Sequence, residues 1–354
     1  MRLLSRYIGV QVFIGTALAL GVLLSVFSFI DFIEDLDTVG QGSYTVAEAM
    51  LHSALTMPTR AFALFPPAAL IGTLLGLGTL ASAREIVVMR AAGISIVQIV
   101  AAVMKAGLVL VLFAVIVGEL VSPYSEQIAQ QRRSAAVSEQ LSVMTRYGSW
   151  LRDGLSFINI RRILPDQELE EVFIYNFDKD YRLRTSTRAA KARHQGERWL
   201  LAGIAQSSIS PAGVETRELD QAMWESRLLP DLVNVSTVEP ESLSAVGLAT
   251  YLGYLRNNGL ATARFELALW NKIVYPLATA IMIFLAAAIV LSRNSPMAVG
   301  QRVVMGALIG VGFHILHNTS VRVGLVYDFS PVITALLPSI VFLALAASII
   351  RRAQ

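Results

Sequence analysis

Residues 66–93 read PPAALIGTLLGLGTLASAREIVVMRAAG, and this stretch decides the fold of the chain. It begins inside an uncharged apolar segment, about 61–83, which is long enough to cross about 30 Å of hydrocarbon as a helix. A short amphipathic piece follows at about 84–92 and ends at Gly93, a residue typical of helix C-termini. A second apolar segment begins at Ile94. The pattern predicts a short helix at the membrane surface, where a soluble partner can push on it.

The composition indicates a polytopic membrane protein. Of the 354 residues, 55% are hydrophobic and 16% are charged, which is too apolar for a soluble domain. The absence of Cys excludes catalytic thiols, thiolate metal sites and disulfides. The basic N-terminus resembles the start of a signal peptide, but its apolar run continues to Ile30 without a small-residue cleavage site. This predicts a retained first crossing.

The apolar segments predict six transmembrane helices, at about 7–30, 61–83, 94–121, 267–291, 299–321 and 331–350. The charges at their ends predict the orientation. One side carries a single acid, Glu85, and eight arginines: Arg2, Arg6, Arg84, Arg90, Arg293, Arg302, Arg351 and Arg352. The short loops on the other side carry Asp31, Glu34, Asp35, Asp37, Glu48 and Asp328 against Arg60 and Arg322. Both termini are therefore predicted to be cytoplasmic.

These spans divide the chain into 1–121 with three transmembrane helices, 122–266 outside the membrane, and 267–354 with three more helices. In the middle part, 171–178 is rich in β-branched and aromatic residues, apolar or β-branched residues alternate along 183–189, and Trp199 with two leucines follows at 199–201. Turn residues separate these runs. This spacing predicts a small β-sandwich or roll at about 140–240, flanked by helices at 125–139 and 242–257. The predicted fold class is a polytopic α-helical membrane protein with an all-β domain.

Catalytic motifs are missing from the sequence, which lacks GxxxxGK[ST], HExxH and GxSxG. His314 and His317 share one helix face and leave an intramembrane metalloenzyme open, but two histidines without a carboxylate make a poor metal site. Helix–helix hydrogen bonding is the plainer interpretation. Lys105 lies inside the third crossing, where a buried partner and snorkelling to the headgroups are equal alternatives. Glu119 and Lys272 lie near the outer helix ends, where charge costs little.

The segment at about 84–92 offers an apolar surface and polar contacts: Ile86, Val87 and Met89, with Arg84, Glu85 and Arg90. Glu85 predicts an Arg or Lys on a partner, while a simple connector is the alternative interpretation. On the opposite side, Arg132 and Arg133 together with Arg60 suit a phosphate group, or else form a solvated surface. The neighbouring acidic run, Asp31, Glu34, Asp35 and Asp37, repels phosphate unless a divalent cation bridges the two.

Five stretches carry a family resemblance: DFIEDL with GQGSY after the first crossing, AALIGTLLGLGTLASAREIVVMRAAGIS, ESLSAVGL at 241–248, WNKIVYPL at 270–277 and RVVMGALIGVGF at 302–313. They resemble the permease subunits of the lipopolysaccharide exporter, the LptF/LptG family. The resemblance implies six transmembrane helices in the bacterial inner membrane and a periplasmic β-jellyroll between the third and fourth. It implies lipopolysaccharide as cargo, a second permease LptF, a dimer of the ATPase LptB, and LptC with LptA as the onward bridge. ATP and Mg would be bound by the ATPase, so no cofactor, catalytic residue, metal or nucleic acid is expected for this chain.

The resemblance also implies roles for individual residues. The segment at 84–92 would enter a groove on the ATPase, with Glu85 at the family's acidic position. Arg133 matches a family position that contacts lipid A phosphates, and another typical Lys falls on Thr59, beside Arg60. The family's basic residues just past the first crossing are replaced here by the acidic run.

We predict that crossings one, two and five line an apolar cavity for the acyl chains, shared with the second permease. The candidate wall residues are Leu24, Phe27, Phe65, Leu308 and Ile315. Two alternatives remain: an exporter permease of the lipoprotein-releasing type, which usually has four crossings, and an anchor for a periplasmic domain, which needs neither six helices nor a coupling segment.

Overall fold

The computed structural model describes residues 2–138, 148–163, 168–195, 198–211, 213–224, 226, 240, 243–292 and 298–351. Arg293 and Arg352, which contributed to the predicted orientation, lie outside these residues, as do positions 241–242 of the ESLSAVGL stretch.

Six spans of the described residues are helical, long and apolar enough to cross a membrane, which confirms the predicted number. They are α1 Arg2–Leu36, α2 Val46–Ser82, α4 Ile96–Ile116 (which continues through the π-helical turn Val117–Val121 into α5 Ser122–Ser138), α7 Ala263–Ser292, α8 Val299–Val326 and α9 Pro331–Arg351. Two shorter helices complete the set, α3 Glu85–Ala91 and α6 Ala245–Asn257. Since α3 and the termini lie on one side of the spans, we name this side the α3 end and the other the sheet end.

Polar caps mark where two of these helices begin, and one of them lies well outside its apolar segment. The helix α2 begins at Val46, about 15 residues before the predicted start of its crossing, where the Thr45 hydroxyl accepts the N–H of Glu48. At the start of α4, the side chain of Ser95 accepts the N–H of Gln98, whose side chain accepts the N–H of Ser95. This capping box fixes where the chain turns back into the membrane after α3.

The helix α2 is the centre of the bundle. In its most apolar stretch 72% of the residues are buried, against 17% in α1 and 22% in α8. Glycines allow α1 to approach α2 at backbone distance: a Cβ on Gly72 would lie 2.2 Å from the Cα of Thr16, and one on Gly76 would lie 2.5 Å from the carbonyl of Gln11. Small residues at a contact between membrane helices allow such a close approach. Because few residues of α1 and α8 are buried, both helices have broad apolar faces that nothing else in the described residues covers.

The described strands form one antiparallel sheet in the order β1 to β6. Their bounds are β1 Ser149–Asp153, β2 Ser156–Ile163, β3 Glu168–Phe177, β4 Leu183–Gln195, β5 Arg198–Ser210 and β6 Gly213–Trp224. Every strand pairs with its sequence neighbour, so the described part of the sheet is a meander. The predicted class, a helical membrane protein with a β domain, is confirmed.

One face of the sheet packs against α6. Tyr251, Tyr254 and Leu255 of that helix join a core that includes the fully buried Trp199. The Tyr254 hydroxyl donates to the carbonyl of Arg152 at 2.8 Å and accepts its N–H at 3.2 Å. These two hydrogen bonds fix α6 on strand β1, so helix and sheet form one unit.

Candidate functional site

The helix α3 is bounded by two left-handed residues. Arg84 precedes it with φ +58° and Gly93 follows it with φ +86°, conformations that reverse the chain at each end. Because α3 is only seven residues long, these reversals hold it across the α3 end of the bundle between α2 and α4. The predicted surface helix is therefore present.

Only part of the predicted apolar surface of α3 is available to a partner. Ile86 is 8% exposed and Met89 packs beside it in the bundle core. Val87 and Val88 are 63% and 66% exposed and point away from the bundle. The spacing of residues 86 and 89, three apart on a helix, could have identified this inward face. Val88 was missed by the sequence analysis.

Glu85 lies near the surface of α3 and also forms a hydrogen bond with another helix of the same chain. Its carboxylate accepts a hydrogen bond of 2.9 Å from the hydroxyl of Tyr7, on α1. The side chains of Arg84, just before α3, and of Arg90, on α3, are both exposed. Glu85 thus joins α3 to α1, the helix whose apolar segment has the smallest share of buried residues.

A polar cavity of about 410 Å³ lies at the sheet end, between α1, α2 and α5. Its lining residues are Asp31, Glu34, Asp35, His52, Thr56, Thr59, Arg60, Glu126, Gln130 and Arg133. The cavity thus contains two of the three predicted phosphate-contact arginines and three of the four residues of the acidic run. The structure therefore brings the arginines and the acids together in one cavity.

The two arginines in this cavity are paired with acids of the run. The Arg60 Nε lies 2.7 Å from Asp31, and Arg133 lies 3.3 Å from Asp35. Asp35 is only 6% exposed and also contacts the His52 Nδ1 at 2.6 Å. Arg132, the third candidate, is exposed outside the cavity. The acidic run therefore neutralises these arginines, and a phosphate must compete with carboxylates for them.

Glu126 was missed by the sequence analysis, yet it is 8% exposed and lines the same cavity. It accepts hydrogen bonds from Thr59 at 3.0 Å and from Gln130 at 3.1 Å. Thr59 occupies the position where the family resemblance places a Lys, and its hydroxyl also lies 2.8 Å from that of Ser122. No local signal marks Glu126, because its burial depends on the packing of α5 against α2.

Tyr44 lies in the loop beside this cavity and is buried. Burial raises the pKa of its phenol, and the negative charge of Asp35 raises the pKa further. The phenol therefore stays neutral at physiological pH and adds no charge to the cavity.

Four of the five predicted wall residues lie on the outside of the single chain. Leu308 and Ile315 are 69% and 60% exposed, Phe27 is 37% exposed and Leu24 is half-buried. Phe65 differs, since it is 2% exposed and packs against Phe113 with ring centroids 6.1 Å apart. Phe65 therefore belongs to the core between α2 and α4 in this chain, and it does not face an open space.

The other polar residues of the spans separate into exposed and buried ones. Lys105 is exposed on the outside of α4, which favours snorkelling over a buried partner. His314 is exposed and lies 2.9 Å from Asn318, whereas His317 is buried between Tyr275 and Phe313. Among the described residues, no three His, Asp or Glu side chains are grouped so that they could hold a metal ion.

Six apolar helices, an extramembrane antiparallel sheet and a surface helix between two crossings define a polytopic α-helical membrane protein with an inserted β domain. Residues 6–352 match the family described as lipopolysaccharide export system permease LptF/LptG. The chain belongs to this family. It is 35% identical over 352 residues to the lipopolysaccharide export system permease protein LptG of Escherichia coli, covering 99% of this chain and 98% of that protein. It is 33% identical over 344 residues to LptG of Haemophilus influenzae, covering 97% and 96%.

Proposed function

We infer that this chain is a permease subunit of an ABC transporter that exports lipopolysaccharide. The observation that carries this inference is the similarity to LptG proteins over nearly the whole length of both chains. The chain would lift the lipid from the outer leaflet of the inner membrane and pass it to a periplasmic bridge. It would catalyse no reaction itself.

The source of energy would be a separate ATPase, LptB, that binds ATP and Mg²⁺. The helix α3 supports this proposal because it presents Val87 and Val88 to solvent at the membrane surface, beside the acid Glu85. Two adjacent exposed valines next to a carboxylate suit contact with a soluble partner. The α3 end would then be cytoplasmic, and the β domain would lie in the periplasm.

A second permease, LptF, would cover the exposed faces of α1 and α8. Each acyl chain of about twelve CH₂ groups would cost roughly 10 kcal/mol to expose to water, at about 0.8 kcal/mol per CH₂. The lipid therefore needs a continuous apolar path. Leu24, Phe27, Leu308 and Ile315 would form this chain's part of the wall, and LptC and LptA would receive the lipid beyond the β domain.

The role of α3 is tested by Glu85→Ala and Tyr7→Phe. Glu85→Ala removes both the contact with Tyr7 and any contact with the ATPase, while Tyr7→Phe removes only the internal hydrogen bond. We expect Glu85→Ala to reduce co-purification of the ATPase and ATP-driven lipid release from proteoliposomes. We expect Tyr7→Phe to preserve co-purification. Normal assembly and release in Glu85→Ala would refute the proposed coupling.

The phosphate contact is tested by Arg133→Gln and Arg132→Gln. Each variant removes one positive charge, but only Arg133 lines the cavity. We expect Arg133→Gln to weaken photocrosslinking of lipopolysaccharide more than Arg132→Gln does. Unchanged crosslinking in Arg133→Gln would remove this residue from the lipid site.

The orientation is tested with single cysteines, since the chain contains none. Cysteines at Val88 and at Gln41, at opposite ends of the bundle, are both at exposed positions. In intact cells whose outer membrane has been permeabilised, a membrane-impermeant maleimide should label position 41 and leave position 88 unlabelled. The reverse pattern would overturn the proposed orientation.

A further inference from the structure

A polar contact joins the bundle to the β domain at the sheet end of the third crossing. Lys272, on α7, donates a hydrogen bond of 2.8 Å to the carbonyl of Gly118 and lies 3.7 Å from Glu119. The other carboxylate oxygen of Glu119 accepts the N–H of Ala245 at 2.8 Å. The Lys272 side chain is 6% exposed. From the sequence, Glu119 and Lys272 were expected near helix ends, where a charge costs little free energy. In the structure they are partners in a largely buried contact.

The π-helical turn Val117–Val121 makes this contact possible, and Pro123 explains the turn. A proline inside a helix has no N–H and clashes with the carbonyl four residues earlier, here that of Glu119. The helix widens, and the N–H of Ser122 bonds to the carbonyl of Val117 instead of that of Gly118. The Gly118 carbonyl is therefore available to Lys272. Single π-helical turns of this kind often occur at functional sites.

The third partner belongs to the β domain. Ala245 is the first residue of α6, whose N-terminus carries a partial positive charge that favours a carboxylate. Because α6 is fixed to the sheet by Tyr254 and by the shared core, a contact with its first turn is a contact with the whole domain. Glu119 thus connects the third crossing, the fourth crossing through Lys272, and the sheet through α6.

We propose that Glu119 and Lys272 are positioning residues that hold the β domain in a fixed orientation over the bundle, so that lipid leaving the membrane is delivered to the sheet. This proposal rests on the proposed export function. A buried ion pair needs both partners and additional hydrogen bonds to repay its desolvation. Here the Gly118 carbonyl and the Ala245 N–H supply those bonds. Gly118 belongs to the third crossing and Ala245 to α6, so the hydrogen bonds that stabilise the ion pair also join the bundle to the β domain.

Spin-label distances test the orientation directly. The two label sites are Gln41→Cys on the bundle and Glu215→Cys on β6. This chain has no other Cys, and any cysteines of the partner subunits are replaced first. The full transporter in proteoliposomes should give a single narrow distance distribution. Lys272→Met should broaden it, while Lys272→Arg, which keeps a donor and a charge, should leave it narrow. An unchanged distribution in Lys272→Met would overturn the proposal.

Transport measurements on the same samples separate positioning from stability. Lys272→Met should lower lipid release by about tenfold, the size expected for loss of a charged hydrogen bond, while ATP hydrolysis continues. Asp328→Asn, an exposed acid at the same end of the bundle, is the matched control and should have no effect.

The double variant Glu119→Leu with Lys272→Met leaves no unpaired buried charge, so its stability should return toward that of the wild type. Its lipid release should stay low, because the contact with α6 is still missing. Recovered release in the double variant would show a merely structural role and overturn the proposal. Absence of release from the wild-type transporter would instead refute the proposed export function, and the distance measurement would still decide the role of the pair.

Discussion

Asp31→Asn should increase the affinity of this chain for phosphorylated lipid. Asp31 pairs with Arg60 at 2.7 Å in the polar cavity at the sheet end. A phosphate that is to bind Arg60 must first displace this carboxylate. Asparagine keeps the size of the side chain but removes its charge, so the variant releases the guanidinium for the lipid without opening a cavity.

The magnitude follows from the geometry of the pair. Two unit charges 2.7 Å apart attract by roughly 6 kcal/mol at an effective dielectric constant of about 20. The Arg60 side chain is 50% exposed, so water screening and the entropy of holding the side chain reduce the net contribution to about 1 kcal/mol. This free energy corresponds to roughly a fivefold decrease in the Kd of the phosphorylated lipid.

Binding of a fluorescent lipopolysaccharide analogue to the purified transporter measures this change, and a dephosphorylated analogue shows whether it requires the phosphate. Glu34→Gln is the matched control. It removes one negative charge from the same cavity, but the arginines there pair with Asp31 and Asp35, and Glu34 pairs with neither within the described residues. If both variants gained the same affinity for the phosphorylated analogue, breaking the Arg60–Asp31 pair would contribute nothing to binding. A weaker affinity in Asp31→Asn would refute the reasoning.

Three further predictions concern packing and the partner surface. Gly72→Ala should destabilise the chain by about 1–3 kcal/mol, because the new Cβ meets the backbone of α1; a thermal shift assay in detergent should show this, while Gly312→Ala, which has open space around it, should not. Tyr254→Phe should cost the β domain about 1–2 kcal/mol and speed hydrogen exchange in β1, unlike Tyr251→Phe, whose hydroxyl forms no hydrogen bond among the described residues. Val88→Glu should abolish co-purification of the ATPase, since it places a charge in the exposed apolar surface of α3; retained co-purification would mean that the partner binds elsewhere.

The sequence was sufficient for the features that depend on a short window of residues. An apolar run of helical length predicts a crossing wherever it occurs, and Gly93 after an amphipathic piece predicts the end of α3. The runs at 171–178, 183–189 and 199–201 identified three of the six described strands, because β-branched and aromatic content and, at 183–189, a period of two residues are also local signals. Even so, the N-terminal part of α2, from Val46, lies outside its apolar segment and was not predicted.

The residue types alone could not show which charged side chains form ion pairs or hydrogen bonds with each other. Arg60 and Asp31 come from different helices, and Lys272 contacts a carbonyl 154 positions away. Their distances depend on how α1, α2, α5 and α7 are rotated and how closely glycines let them approach. The same rotation buries Phe65 and exposes Val88, although both are apolar residues in helices. The sequence by itself determined the spans, their number and the surface helix, because each follows from local hydrophobicity. Only the tertiary structure decided the ion pairs and the exposed faces, because these arise from contacts between segments that are distant along the chain.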